Sequence, residues 1–180
     1  MSRPNLSRSK VLDAAATLAA VHGVSATTVD EIAATAGVAK GSVYYSFASK
    51  EQVFETLIEE SVARLAARLH GALADVREEE PRPTARAVAR AFLRGVDEHP
   101  ERTKVVFAEL FRTDRIWRET IERHRALVLD GFVQALERDG SPATQLDASA
   151  LFGALVMVAF ERIAFEPGTT IEQAVDAVVR

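Results

Sequence analysis

Apolar residues recur at helical spacing through almost the whole chain, and the repeat fails where glycine or proline stands. Val11, Leu12, Ala15, Leu18 and Ala19, with His22 at the end, form a stripe that predicts a helix over about 7–22. Leu6, Ser7 and Val11 have the spacing of a hydrophobic staple around an N-cap, and Gly23 closes the helix. Val29, Ile32, Ala33 and Ala36 make a second stripe, opened by Thr28 with Glu31 three residues on and ended by Gly37. A very short third helix follows over 40–46, with Val43 and Phe47 facing inward. Ser49 with Gln52 opens a fourth, whose apolar positions Val53, Phe54, Leu57, Ile58, Val62, Leu65, Leu69 and Leu73 carry it to about 77.

Pro81 and Pro83, in the run from Glu78 to Pro83, make the clearest break, because prolines cannot continue a helix. Further helices are expected over about 84–98, 101–112, 114–138, 147–165 and 170–180. The breaks between them fall at Pro100, Thr113-Asp114, Asp139 to Pro142 and Pro167-Gly168. No run of alternating β-branched residues bounded by turns interrupts this series, so the fold class is all-α with about nine helices. The expected division is a domain of short helices over 1–50 and a helical domain over 51–180.

Two short helices joined by a tight glycine turn form a helix-turn-helix, whose second helix presents its first residues to base edges in the DNA major groove. The side chains here suit that task. Lys40 can reach guanine acceptors or phosphate, Ser42 can bond either base type, and Tyr44 and Tyr45 offer hydroxyls to phosphate or faces to thymine methyls. Gly41 leaves no side chain between backbone and DNA. Lys50 in the first turn of a helix makes a phosphate clamp, and Thr28 stands with Tyr44 and Lys50 among the expected phosphate contacts. Each tyrosine or lysine taken singly also fits a packing or solvated role; the ordered combination is what points to DNA. Residues 1–6 read as a flexible arm, and Arg3, Arg8 and Lys10 are either phosphate or minor-groove contacts or a solvated tail.

Residues 11–58 resemble the N-terminal domain of the tetracycline-repressor (TetR) family. The resemblance is carried by Val11-Leu12-Asp13-Ala14-Ala15, His22-Gly23-Val24, Thr27-Thr28-Val29 and the run from Tyr44 to Glu51. It departs from the family at Ala39, where a serine or threonine often caps the recognition helix. The resemblance implies a dimeric, ligand-responsive transcriptional regulator, more often a repressor, that leaves double-stranded operator DNA when a small-molecule effector binds. It also implies a four-helix bundle made by the last two helices across a two-fold axis.

Charge and composition change this picture little. The chain has 180 residues, 48% of them hydrophobic, and a net charge of −4. Residues 1–50 carry five cations against three anions, net +2, which leaves −6 on the remainder and puts the basic side at the N-terminus. There are no cysteines, which excludes disulfides and thiol catalysis and fits a cytoplasmic protein. The longest apolar run, 150–160, is too short to span a membrane, so no membrane partner is expected. No nucleotide-binding glycine loop, Gly-x-Ser-x-Gly or His-Glu-x-x-His is present. His22, His70, His99 and His124 lie on separate segments, so no enzyme, metal or cofactor is expected. A helical protein-interaction adaptor would account for the apolar C-terminal helices but not for residues 40–50.

Two later helices are informative. Residues 150–160 are apolar all round, so one face needs cover beyond its own domain. A homodimer interface is therefore expected at Leu151, Leu155 and Val158, together with Ile171, Val175 and Val178 of the last helix. The other helix carries Trp117, Ile121, His124, Val128 and Phe132 on one stripe, and Phe92, Val96, Phe107, Phe111, Phe152 and Met157 could face it. An aromatic, methionine-containing cluster with one histidine suits a small apolar or amphipathic ligand, and it equally describes a packed core.

Overall fold

The computed structural model of the protein describes residues 3–76, 79–110 and 117–180, and within these the side chains of all but residues 3–6, 118 and 121. Among the described residues there are nine α-helices and no strand. None of these helices is long and apolar enough to cross a membrane. They are α1 (Arg3–His22), α2 (Val29–Ala36), α3 (Lys40–Ser46), α4 (Lys50–Ala74), α5 (Pro83–Glu98), α6 (Pro100–Leu110), α7 (Arg118–Arg138), α8 (Gln145–Ala164) and α9 (Ile171–Val178). Helix α1 starts earlier than the staple at Ser7 suggests, and Pro4 sits in its first turn, where a missing N–H costs nothing. Pro83 and Pro100 likewise open α5 and α6 as first helical residues.

The chain divides into two compact units, residues 1–61 with 99–122, and residues 62–98 with 123–180. The first is thus larger than the 50-residue domain expected from the sequence, because α6 and the start of α7 belong to it as well. Helix α4 is one unbroken element that gives its first part to one unit and its last part to the other.

In the first unit α1 is the common support, lying against α2, α3 and α6. Val11, Leu12, Ala15 and Ala19 are buried, with Ile32 and Ala33 of α2, Val43 of α3 and Val53, Phe54, Leu57 and Ile58 of α4. Arg102, buried in the first turn of α6, sends Nε and Nη2 to Asp13 Oδ1 on α1, at 3.1 and 2.7 Å. Thr120 donates to Glu55 on α4 at 3.0 Å, and Trp117 packs on Phe54 with ring centroids 6.3 Å apart. Segment 99–122 therefore clasps both α1 and α4.

The second unit is built on a closed aromatic triangle. Phe92 of α5, Phe132 of α7 and Phe152 of α8 stand with pairwise centroid separations of 6.3, 5.7 and 6.0 Å, one pair being edge-to-face. Such pairs add to the area they bury. Gly131 lets α7 approach α4, since a Cβ there would sit 3.3 Å from Leu69 Cβ. Polar pins hold α9: Arg90 Nε lies 2.9 Å from Glu172, and Arg86 Nη1 donates to the Val179 carbonyl at 3.0 Å. Helix α8 has a capping box at Thr144 and Asp147, so it begins two residues before its apolar pattern does. Its Leu155, Val156 and Ala159 are buried, while Gly153, Ala154, Met157 and Phe160 are exposed, so the all-round apolar helix has one face covered and one open.

Phe132 meets both other rings and is fully buried. Phe132→Ala should lower the unfolding free energy by about 3–5 kcal/mol in a urea titration, and a loss under about 1 kcal/mol would show that the site collapses around the smaller side chain.

Candidate nucleic-acid interface

Two short helices and the turn between them set the geometry. Thr28 caps α2: its hydroxyl accepts from Glu31 N–H at 3.2 Å and donates to Glu31 Oε2 at 2.8 Å, while the same carboxylate accepts from Thr28 N–H. Those hydrogen bonds from Thr28 hold the Glu31 carboxyl below its ordinary pKa. Gly37 ends α2 with φ of +66°, the left-handed conformation a side chain would strain, and Val38 N–H closes on the Ala33 carbonyl at 3.0 Å. This turn aims α3. Ala39 supplies no side-chain cap to it, as the departure at that position implied, and Val43 with the following Phe47 is its whole buried anchor.

What α3 leaves outside is the set expected. Gly41 and Ser42 are exposed, Tyr44 is half exposed and Tyr45 is 90% exposed, the most open of the large apolar and aromatic side chains described. Lys40 Nζ lies 2.9 Å from Asp30 in the first turn of α2. The hydrogen bond to Asp30, and then its charge, hold the Lys40 ammonium above its ordinary pKa. An exposed pair of this kind is worth little, so Lys40 can exchange Asp30 for another acceptor at small cost.

Two expected phosphate contacts have other work. Lys50 Nζ donates to the carbonyls of Val24, Ser25 and Thr27 at 3.1, 3.2 and 2.9 Å, so its three protons are used to tie the α1–α2 loop to the start of α4. A lysine in a first helical turn reaches whichever acceptors fold over it, and only the folded loop shows that three carbonyls do. The Thr28 hydroxyl is likewise committed to its cap. Arg8, left open between a DNA contact and a solvated tail, pairs with Glu60 of α4 and lies over the Phe47 ring at 5.5 Å. Sequence spacing had no signal for that contact, which spans fifty residues. Ser49 accepts from Gln52 N–H, but the Gln52 amide reaches Ala48 N–H, so the expected capping box is displaced by one residue.

The candidate ligand residues do not come together as one set. Phe107 and Trp117 belong to the first unit, where Trp117 is core against Phe54. Phe92, Val96, His124 and Val128 are buried in the second unit, and Phe152 packs on Phe92. Met157 is 59% exposed on the open face of α8 and lines no core, which removes it from the set. Phe111 and the Ile121 side chain lie outside the described residues. Phe132, on the same stripe four residues after Val128, joins Phe92 and Phe152 in the aromatic triangle. Of the expected interface residues, Leu155 and Val175 are fully buried within the single chain, so a partner cannot reach them; Leu151, Val158, Ile171 and Val178 are partly open. A cavity of about 400 Å³ lies in the second unit beside α8, lined by Ala85, Leu136, Pro142, Ala150, Leu151 and Val178 among others. Among the described residues no group of three histidines or carboxylates is placed to hold a metal ion.

A capped helix, a left-handed glycine turn and a short second helix with an open polar and aromatic face define a helix-turn-helix protein. Residues 11–57 match the family described as bacterial regulatory proteins, tetR family. The HTH-type transcriptional repressor KstR2 of Mycolicibacterium smegmatis is 44% identical over 59 residues, which are 33% of this chain and 29% of that repressor. The HTH-type transcriptional repressor AcnR of Corynebacterium diphtheriae is 26% identical over 141 residues, 75% of this chain and 66% of that protein. The matched stretches thus span less than two thirds of either relative. The solved structure of the transcriptional regulator FadR from Bacillus subtilis, in complex with stearoyl-CoA, shares the fold with a TM-score of 0.77 over 94% of both chains at 19% identity. Residues 11–57 thus carry a DNA-binding domain of the tetR family.

The three Lys50 hydrogen bonds are charge-assisted and made to backbone carbonyls of a loop. Lys50→Met should cost about 1–3 kcal/mol in thermal or urea unfolding by leaving those carbonyls without their donor, and an unchanged midpoint would mean the loop is held by other contacts.

Proposed function

We propose that the protein is a transcriptional repressor that binds operator DNA as a homodimer through α3 and is released by a small apolar or amphipathic effector. The observation that carries this reading is the outward face of α3, where Gly41, Ser42, Tyr44 and Tyr45 stand open on a helix whose inward side is fully packed. A face so placed can enter the major groove with no rearrangement of the unit. Both curated relatives are repressors, which favours repression over activation. The division into a DNA-binding part up to residue 50 and a regulatory part beyond it belongs to the same proposal. Within it, Lys40, Ser42 and Tyr45 read bases, Tyr44 meets phosphate, and Lys50 holds the loop behind them.

A mobility-shift titration against fragments from the gene's own upstream region tests the reading. Tyr45→Ala should weaken operator binding about tenfold with no change in melting temperature, because nothing buried is lost. Lys40→Ala should cost on the order of 1–3 kcal/mol and relax preference at one base position. The salt slope of Lys50→Met should equal that of the unaltered protein, since a residue that touches no phosphate releases no counterion. Unchanged binding by the Tyr45 variant would overturn the assignment of α3.

The effector site is proposed for the second unit around Phe92, Val128 and Phe152, where three aromatic rings from three helices meet. A ligand there has to part those rings, so it binds only to a conformation with α5, α7 and α8 separated, and that differential affinity is what shifts the equilibrium. An unbroken α4 shared by both units supports coupling of the two sites. Because the FadR structure holds stearoyl-CoA, a long acyl-CoA is the first compound to titrate. Calorimetry with and without operator duplex should give affinities that differ about 5–150-fold, the lower one with DNA present, because linkage between two sites is reciprocal. Equal affinities would remove the release mechanism even if the compound binds.

A further inference from the structure

Between residues 28 and 47 the chain has one cation, Lys40, against two acids, Asp30 and Glu31. The Glu31 carboxylate is tied into the cap of α2 by the N–H and the hydroxyl of Thr28. Asp30 has no part in that cap. It reaches across the glycine turn instead, and Lys40 Nζ sits between its two oxygens, 2.9 Å from Oδ1 and 3.0 Å from Oδ2. Both side chains are more than half exposed, so the pair stands in solvent where α3 begins. An ion pair so placed adds little to folding. The two helices it joins are already set relative to each other by the left-handed turn at Gly37. The pair is therefore free to serve something other than the fold.

We infer that Asp30 is a specificity determinant, which makes Lys40 a reader of base edges and withholds it from phosphate. This rests on the proposal above that α3 enters the major groove. A phosphate offers only acceptors, so it takes Lys40 by displacing Asp30, and it then lies against a carboxylate that repels it. A base pair differs, because its major-groove edge carries donors beside acceptors. Guanine presents O6 and N7 to the ammonium, and the paired cytosine presents its N4 amino group to the carboxylate. Lysine and aspartate together thus match a G·C edge, donor to acceptor and acceptor to donor. Lys40 is the first residue of α3, and Asp30 lies in the first turn of α2 beside it, so both groups stand at the end of α3 that meets the bases.

The neighbouring cations give the pair its weight. Arg8 pairs with Glu60 and lies over the Phe47 ring, and Lys50 donates to three carbonyls. On the helix-turn-helix itself Lys40 is then the charge that goes either to the DNA backbone or to a base. With Asp30 beside it, binding to arbitrary sequence is weakened more than binding to the right one. Specificity is the ratio of those two affinities, and a repulsive element that costs the wrong site more than the right one raises it.

The full chain, Asp30→Asn, Lys40→Met and the double variant are titrated over a range of salt on two duplexes, one selected from a random pool by the full chain and one unrelated to it. Asp30→Asn should bind the unrelated duplex about tenfold more tightly at low salt, with a salt slope steeper by about 0.9 per subunit, as one further phosphate is contacted. Its affinity for the selected duplex should change less than about threefold, because the lost contact to cytosine offsets the relieved repulsion, so the specificity ratio falls. In the Lys40→Met background the same change should leave the salt slope unaltered, which separates an effect on Lys40 from the mere loss of a negative charge. All four proteins should melt at the same temperature, since the pair is exposed. An unchanged specificity ratio in Asp30→Asn, or an equal gain with Lys40→Met present, overturns the role of Asp30 and leaves α3 as the reading helix. A pool from which the full chain enriches no sequence overturns that reading and this inference together.

Discussion

A helix of seven residues cannot hold itself together in water. Nucleating it fixes several dihedral angles for very few hydrogen bonds, and helices shorter than about 12 residues are marginal even with good sequences. Helix α3 is that short, starts with Lys-Gly and lacks a side-chain cap. Its existence depends on Val43 and Phe47, both buried, and on the elements that make their pocket. Much of the first unit can be understood as the apparatus that keeps this one turn and a half in place. Arg8 covers Phe47 from α1 and anchors to Glu60 on α4. Lys50 ties the loop before α2 to the helix after α3.

The same dependence explains why α6 belongs to the first unit. Helix α1 presents its buried face to α2 and α3, and its other side is held by α6 through Arg102 and Asp13. A buried arginine with its nitrogens on one carboxylate is a directional contact, unlike the apolar packing beside it, because moving either helix breaks two charge-assisted bonds at once. Together with Thr120 on Glu55 and Trp117 on Phe54, this makes segment 99–122 a brace for the two helices that carry α2 and α3.

The second unit works by different means. Its interior is aromatic and aliphatic, closed at Phe92, Phe132 and Phe152, and arginines from α5 pin its last helix beside the buried Ala174 and Val175.

The residues alone determined which segments are helical, because apolar spacing, the capping box at Thr28 and the prolines and glycines between helices are local physics that survives into the fold. They also determined which side of α3 faces outward, since Lys40, Gly41, Ser42, Tyr44 and Tyr45 have too little apolar character to be its buried side. What they could not determine is what a long side chain does when the chain closes over it. Lys50 was as fit for a phosphate as for the carbonyls of Val24, Ser25 and Thr27, and Arg8 as fit for DNA as for Glu60. The aromatic stripe on α7 had the composition of a pocket and of a core alike. Trp117, Met157 and Phe132 differ in fate only because they fall against Phe54, in solvent, and inside an aromatic triangle. Helical periodicity assigns a side chain to a face; only the packing of helices distant in sequence decides what that face meets.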